Sequence, residues 1–223
     1  MDWQALEISL KLAVITCLTL LPIGLGLSYV LSRTQFIGRG FFEALITLPL
    51  VLPPTVLGYF LLVGLDQNSM LGSAFMAVTG ENIAFSFTGL WLASIIYSLP
   101  FAVQPMLRSF EQVAPELREM AWCSGLSKWK TFFKIELPLA WPGIVTAMVL
   151  SFSHTLGEFG VVLMIGGNIA GETRTLSIAI YDSVLAFEHQ QAQLMSLTLL
   201  IIALVTITLV YTFNRKQRQY LRF

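Results

Sequence analysis

The chain has 223 residues, 56% of them hydrophobic and 12% charged, with 13 Lys and Arg balanced by 13 Asp and Glu. A soluble domain carries about 25% charged residues, so this composition belongs to a membrane protein. Two cysteines, Cys17 and Cys123, offer no spacing for a zinc site or a disulfide framework.

The first residues, MDWQALEISLK, place acidic side chains where a signal peptide needs a positive region. No small-residue cleavage site follows, and the first apolar run is read as retained. A helical span needs about 20 mostly apolar residues. In chain order these are Leu10–Leu31, Phe41–Leu65, Ala84–Leu107, Ile144–Ile165 and Leu194–Phe213. Pro22 and Gly24 interrupt the first, and Pro49, Pro53 and Pro54 the second. Between the spans lie the turn SRTQFIGRG, a loop from Asp66 to Ile83, a charged segment, and a loop from Gly166 to Gln193.

Five crossings put Arg33, Arg39, Arg108, Arg118, Lys128, Lys130, Lys134, Arg215, Lys216, Arg218 and Arg222 on one side. Lys11 and Arg174 remain on the other, with Asp66, Glu81, Glu172, Asp182 and Glu188. Basic residues stay on the cytoplasmic side. The expected topology therefore has the N-terminus outside and the C-terminus in the cytoplasm.

The charged segment reads PELREMAWCSGLSKWKTFFKIELPLAWPG, Pro115–Gly143. Pro115 suits the first turn of a helix, and Gly125 the left-handed position just past its end. Ser127 can cap a second helix, KWKTFFKIEL, which Pro138 is expected to end. A linker needs only a few residues, yet this one carries Trp122, Trp129, Phe132 and Phe133, read as exposed. Two readings follow: a polar connector, or a surface that docks on the membrane interface or on a partner. Glu119 is correspondingly either a surface charge beside Arg118 or a partner contact.

Proline breaks free backbone groups that must be met by neighbouring helices or by a water-lined cavity. Pro22 reads as a packing kink; Pro53, Pro54 and Thr55 read as path lining. In the fourth span, LSFSHTLGEFG places Ser151, His154, Thr155 and Glu158 three and four residues apart, on one helix face. An ionisable residue at that depth faces protein or water. This face is expected to line a passage or a subunit interface, with His154 open to a structural role as well.

Glu119-Met120-Ala121, Gly125 and Ile135-Glu136-Leu137-Pro138 together resemble the EAA loop of ABC importer permeases. That pattern is Glu-Ala-Ala, three residues, Gly, nine residues, Ile-x-Leu-Pro; both spacings hold, with Met120 replacing the first alanine. The resemblance implies a cytoplasmic coupling helix seated in a separate ATPase subunit, with Glu119, Ala121, Gly125, Leu137 and Pro138 as coupling residues. The chain has no G-x-x-x-x-G-K-[ST] phosphate loop of its own.

LPLVLPPTVLGY, Leu48–Tyr59, resembles the second span of molybdate permeases and their sulfate relatives. Gly157-Glu158-Phe159-Gly160 resembles both groups. The continuation Gly167-Asn168-Ile169, Gly171, Thr175-Leu176 and Ala179-Ile180-Tyr181 is closer to the molybdate type. Nearly the whole chain thus resembles a molybdate ABC transporter permease subunit of the short, five-span kind.

The resemblance implies an all-α polytopic fold of the type I ABC importer permease class. It implies a single permease domain over 1–223, with a coupling segment at about 109–141. Implied partners are a second permease copy in a homodimer, two ATP-binding subunits, an extracytoplasmic molybdate-binding protein met by the loop Gly166–Gln193, and the lipid of the cell inner membrane. No nucleic acid, cofactor, metal or catalytic residue is expected.

The candidate path or gate residues are Pro53, Pro54, Thr55, Ser151, His154, Thr155 and Glu158. No Lys or Arg lies deep in a span to hold an oxyanion with a basic fork, and Glu158 repels a dianion. The chain therefore reads as a passage, with affinity residing in the binding protein. A sulfate/thiosulfate-type permease is the nearest alternative. An ion-coupled secondary transporter using Glu158 and His154 runs against the EAA spacing. An intramembrane enzyme lacks a paired nucleophile or metal cluster.

Overall fold

The computed structural model describes residues 1–220, with side chains as far as Thr212. Helix α1 (Trp3–Arg33) is capped by Asp2, whose carboxylate accepts the N–H of Ala5 at 2.9 Å. It runs through Pro22 unbroken, so the expected interruption there does not occur. One missing N–H is tolerated in a long packed helix. Beside it Gly24 gives room for α5 (Phe87–Glu111), since a Cβ there would stand 3.1 Å from Met106 Sδ. The buried positions of α1, among them Leu12, Thr16, Leu20, Gly24, Ser28 and Leu31, recur every three or four residues and form one face.

The second expected span is two helices, α2 (Arg39–Val51) and α3 (Pro54–Leu65), bent by 111°. Leu52 and Pro53 each precede a proline, and such residues are pushed out of the helical region. Their ψ angles are 137° and 136°. Two extended residues in succession turn the chain sharply. The loop that follows contains α4 (Met70–Thr79).

After α5 come α6 (Pro115–Cys123) and α7 (Lys128–Thr131). A π-helical turn, Phe132–Glu136, continues α7 directly into α8 (Leu137–Gly157). Two expectations are corrected here. Pro138 does not end the second helix of the charged segment. It occupies the first turn of α8, where a missing N–H is tolerated, and the wide π turn precedes it. The fourth span, expected at Ile144–Ile165, lies nearer the N-terminus. The long helix ends at Gly157, because Glu158 is extended with ψ 132°. Gly160–Gly166 forms a separate short helix, α9. The last loop holds α10 (Leu176–Leu185), and α11 (His189–Tyr220) closes the described chain.

Among the described residues, four helical stretches are long and apolar enough to cross a membrane: Trp3–Arg33, Phe87–Glu111, Lys128–Gly157 and His189–Thr212. The α2–α3 pair supplies a fifth when taken as one broken span. Helices α1, α5 and α8 pack on one another and hold the core. At one end the core is Met106, Phe110, Ala140, Ile144 and Ala147; at the other it is Leu12, Leu90, Val162 and Ile178. Helices α2, α3 and α11 leave Phe41, Leu45, Val51, Phe60, Leu200 and Leu204 uncovered, an apolar surface suited to lipid or to another subunit.

The two ends differ in charge as the topology requires. Arg39 bonds Glu43 and Glu111, each at 2.7 Å, and Arg108 bonds Glu111 at 2.9 Å, while Arg33 pairs with Glu136. At the opposite end Arg174 holds Asp182 at 2.9 Å and lies 3.9 Å from Asp2. The side chains of Arg215, Lys216 and Arg218, the predicted span end Phe213, and Arg222 lie outside the described residues.

Candidate functional site

The charged segment folds as a helix, a glycine turn and a second helix at the basic end. Pro115 stands in the first turn of α6. At the other end of α6, Gly125 has φ +82°. Its N–H donates to the Trp122 carbonyl at 2.9 Å, and the Leu126 N–H to the Ala121 carbonyl at 3.0 Å. These paired bonds define a Schellman turn, which satisfies the last carbonyls of the helix. A side chain at Gly125 costs about 1–3 kcal/mol in that conformation. Ser127 then caps α7, accepting the Lys130 N–H at 3.4 Å.

Within this frame Ala121 is the buried residue of α6. Glu119 is exposed and makes no ion pair among the described residues. Leu137 packs on the Met106–Phe110 cluster, and Pro138 is exposed. Trp129 is 74% exposed and stacks on Phe133, itself 58% exposed, with ring centroids 6.3 Å apart. Phe132 corrects the expected set of four exposed aromatics. It turns inward, 4.9 Å from Tyr29 and 6.1 Å from Phe110.

Sequence reasoning passed over Glu136, which is buried and meets both Arg33 and Arg118. The available signal was a carboxylate between Ile135 and Leu137 at the entrance to an apolar helix, where a lone charge is costly.

The polar face of α8 meets α5. Ser98 Oγ lies 2.9 Å from His154 Nδ1 and 2.9 Å from Thr155 Oγ1. Ser94 donates to Glu158 Oε2 at 3.2 Å, and Ser177 of α10 donates to the Glu158 backbone carbonyl. The His154 ring stacks on Phe101, centroids 4.1 Å apart, and tilts against Tyr97 at 4.7 Å.

Ser151, Thr155 and Glu158 are buried inside this one chain. Hydroxyls of α5 meet Thr155 Oγ1 and Glu158 Oε2, while Ser151 Oγ and Glu158 Oε1 have no hydrogen-bond partner among the described residues. Of the four residues on this face, His154 alone is partly open within the chain. Ser94 and Ser98, one turn apart, were the missed partners; their spacing of four in an apolar run was the available signal.

Pro53, Pro54 and Thr55 are exposed at the α2–α3 break. Pro54 contacts Gly160, just past the α8–α9 break. The structure thus brings the two interruptions together. Among the described residues no three His, Cys, Asp or Glu side chains gather as a metal site.

A bundle of apolar helices with a helix–turn–helix at its basic end is a membrane transport subunit, with the fold of type I ABC importer permeases. Residues 20–221 match the family described as "Binding-protein-dependent transport system inner membrane component", and the chain belongs to that family.

The molybdenum transport system permease protein ModB of Azotobacter vinelandii is 41% identical over 214 residues, 96% of this chain and 95% of that protein. ModB of Escherichia coli strain K12 is 38% identical over 183 residues, 82% of this chain and 80% of the relative. A probable sulfate transport system permease protein of Chlorella vulgaris is 36% identical over 191 residues, covering 86% and 71%. Among solved structures, a bacterial alginate ABC transporter in complex with a periplasmic protein matches with TM-score 0.74 at 18% identity, covering 96% of this chain and 78% of its own. The inward-facing MetNI methionine ABC transporter matches with TM-score 0.72 at 15% identity, covering 97% and 95%.

Proposed function

We propose that the chain is the permease subunit of an ATP-driven importer that carries molybdate, and with it tungstate, across the cytoplasmic membrane. The observation that carries the substrate is the 41% identity to a molybdenum permease along 96% of the chain. The coupling geometry supports the energy source, since α6 exposes Glu119, which makes no ion pair among the described residues, and its end is set by the Gly125 turn.

In this reading two copies pair through exposed apolar helices and enclose the path between them. Two ATP-binding subunits grip the α6 helices from the cytoplasm, and a binding protein delivers the oxyanion from outside. ATP draws the α6 helices together and opens the path outward; hydrolysis returns it inward. Hydrolysis belongs to the partners. Pro53, Pro54, Thr55 and His154 are the path candidates. Thr155 and Glu158 brace the polar face of α8 by tying it to α5 and α10, and Ser151, Thr155 and Glu158 remain gate candidates beside it. The coupling contacts are Glu119, Ala121, Gly125, Leu137 and Pro138, and the whole chain acts as one domain.

The test is uptake of labelled molybdate by proteoliposomes containing the chain, its ATPase and its binding protein. ATP-dependent uptake blocked by tungstate and not by sulfate is the expected result. Equal block by sulfate supports the second reading, a sulfate-type permease, which the algal relative favours. Uptake by the chain alone under a pH gradient would sink both.

A further inference from the structure

Glu136 sits on the π-helical turn between α7 and α8 and is 1% exposed. Its Oε1 meets the guanidinium of Arg33, the last residue of α1, and lies 3.9 Å from Nε of Arg118 on α6. The Arg33 guanidinium also covers the Tyr29 ring, 5.0 Å from its centroid. Tyr29 in turn packs edge-on against Phe110 of α5, at 6.0 Å, and Phe132 of the π turn, at 4.9 Å. One carboxylate therefore joins α6, α1 and α8, and the aromatic set beneath it extends the junction to α5.

Helix α6 has little other hold on the bundle. Ala121 is its buried residue, while Glu119, Met120 and Trp122 are exposed. Apolar contacts slide under load, because they are non-directional. A buried carboxylate resists separation from its partners, because losing one leaves an uncompensated charge out of water. The π turn adds a place to yield. The Leu137 N–H bonds the Phe132 carbonyl, five residues back, and such wide turns occur mostly as single turns inside α-helices, frequently at functional sites.

We infer that the Arg118–Glu136–Arg33 cluster is the link that passes displacement of α6 to the ends of α1 and α8, making Arg118 and Glu136 positioning residues for transport. The inference rests on the importer reading above. It assigns these residues a role in transmission, separate from grip on the ATPase.

Arg118→Met removes the α6 arm and keeps the Arg33–Glu136 pair, so folding is preserved; Glu136→Gln weakens both arms. Each is made in the full complex in proteoliposomes. The readouts are ATPase co-purification, ATP hydrolysis and molybdate uptake. For Arg118→Met, co-purification and hydrolysis are expected at wild-type level, while uptake per ATP falls roughly tenfold, the scale of a coupling between sites. Arg118→Lys restores most of it, as charge at that position is retained. Unchanged uptake per ATP in Arg118→Met overturns the inference. So does loss of co-purification, which makes Arg118 a docking contact. Absence of ATP-dependent uptake in the wild-type complex removes the importer reading itself, and is distinguishable because no variant is involved.

Discussion

Gly160 lies directly against Pro54: a Cβ built on Gly160 would stand 2.6 Å from the Pro54 Cβ. This contact joins two places where the chain leaves helical geometry, the proline pair after α2 and the Glu158–Phe159 break after α8. The two breaks bear on one another, while Glu158 is also held by Ser94 and Ser177.

Gly160→Val is therefore expected to push α3 away from α9. The neighbour is a proline ring, which has no rotamer to give, and overpacking of this kind costs about 1–3 kcal/mol. Uptake should fall while ATPase co-purification, which in the proposed reading depends on the charged segment Pro115–Gly143, persists. Parallel assays of the two quantities check this.

Gly125→Val is expected to abolish transport while leaving membrane insertion intact. A β-branched side chain at φ +82° is strained by about 1–3 kcal/mol, and relief requires breaking the Schellman turn. Gly125→Asn should retain much more activity, because Asn tolerates the left-handed conformation. Equal activity of the Val and Asn variants would refute the turn argument.

Glu119→Lys is expected to loosen the ATPase. The residue is exposed and without an ion pair among the described residues, so reversing its charge leaves the fold intact. Reversal of a charge at a complementary interface weakens association by about tenfold or more. A pull-down titration measures it, and an unchanged affinity counts against the contact.

Ser98→Ala is expected to lower the melting temperature in detergent. It strands both His154 Nδ1 and Thr155 Oγ1, now 2.9 Å from one hydroxyl, at about 1–2 kcal/mol for the pair. Ser98→Thr keeps the hydroxyl and should lose less. Ser151→Leu and Thr155→Leu, at fully packed positions, should likewise reduce stability along with uptake. A loss of uptake at unchanged stability would return those two residues to the passage wall.

Much of this protein is readable along the chain. The apolar runs locate the spans, because a bilayer demands about 20 residues per crossing. Pro115, Gly125 and Ser127 mark the helix–turn–helix, because each fits a local backbone requirement independent of the rest of the fold. The consecutive prolines likewise announce a break. Harder to read was the end of the fourth span, since Gly160–Gly166 is as apolar as the helix before it and only Glu158 and Phe159 separate them. Nor did periodicity say what the polar face of α8 touches.

The sequence by itself determined the membrane class, the sidedness of charge and the local form of the charged segment, all consequences of composition and short-range backbone preference. Tertiary structure alone decided that Ser98 bonds His154 and Thr155, that Phe132 turns inward while Phe133 does not, and that Glu136 joins Arg33 to Arg118. The physical reason is common to all three. A polar or aromatic group inside a helical bundle takes whichever partner the crossing of helices places beside it. Here that crossing brings together residues 56, 57 and 103 positions apart.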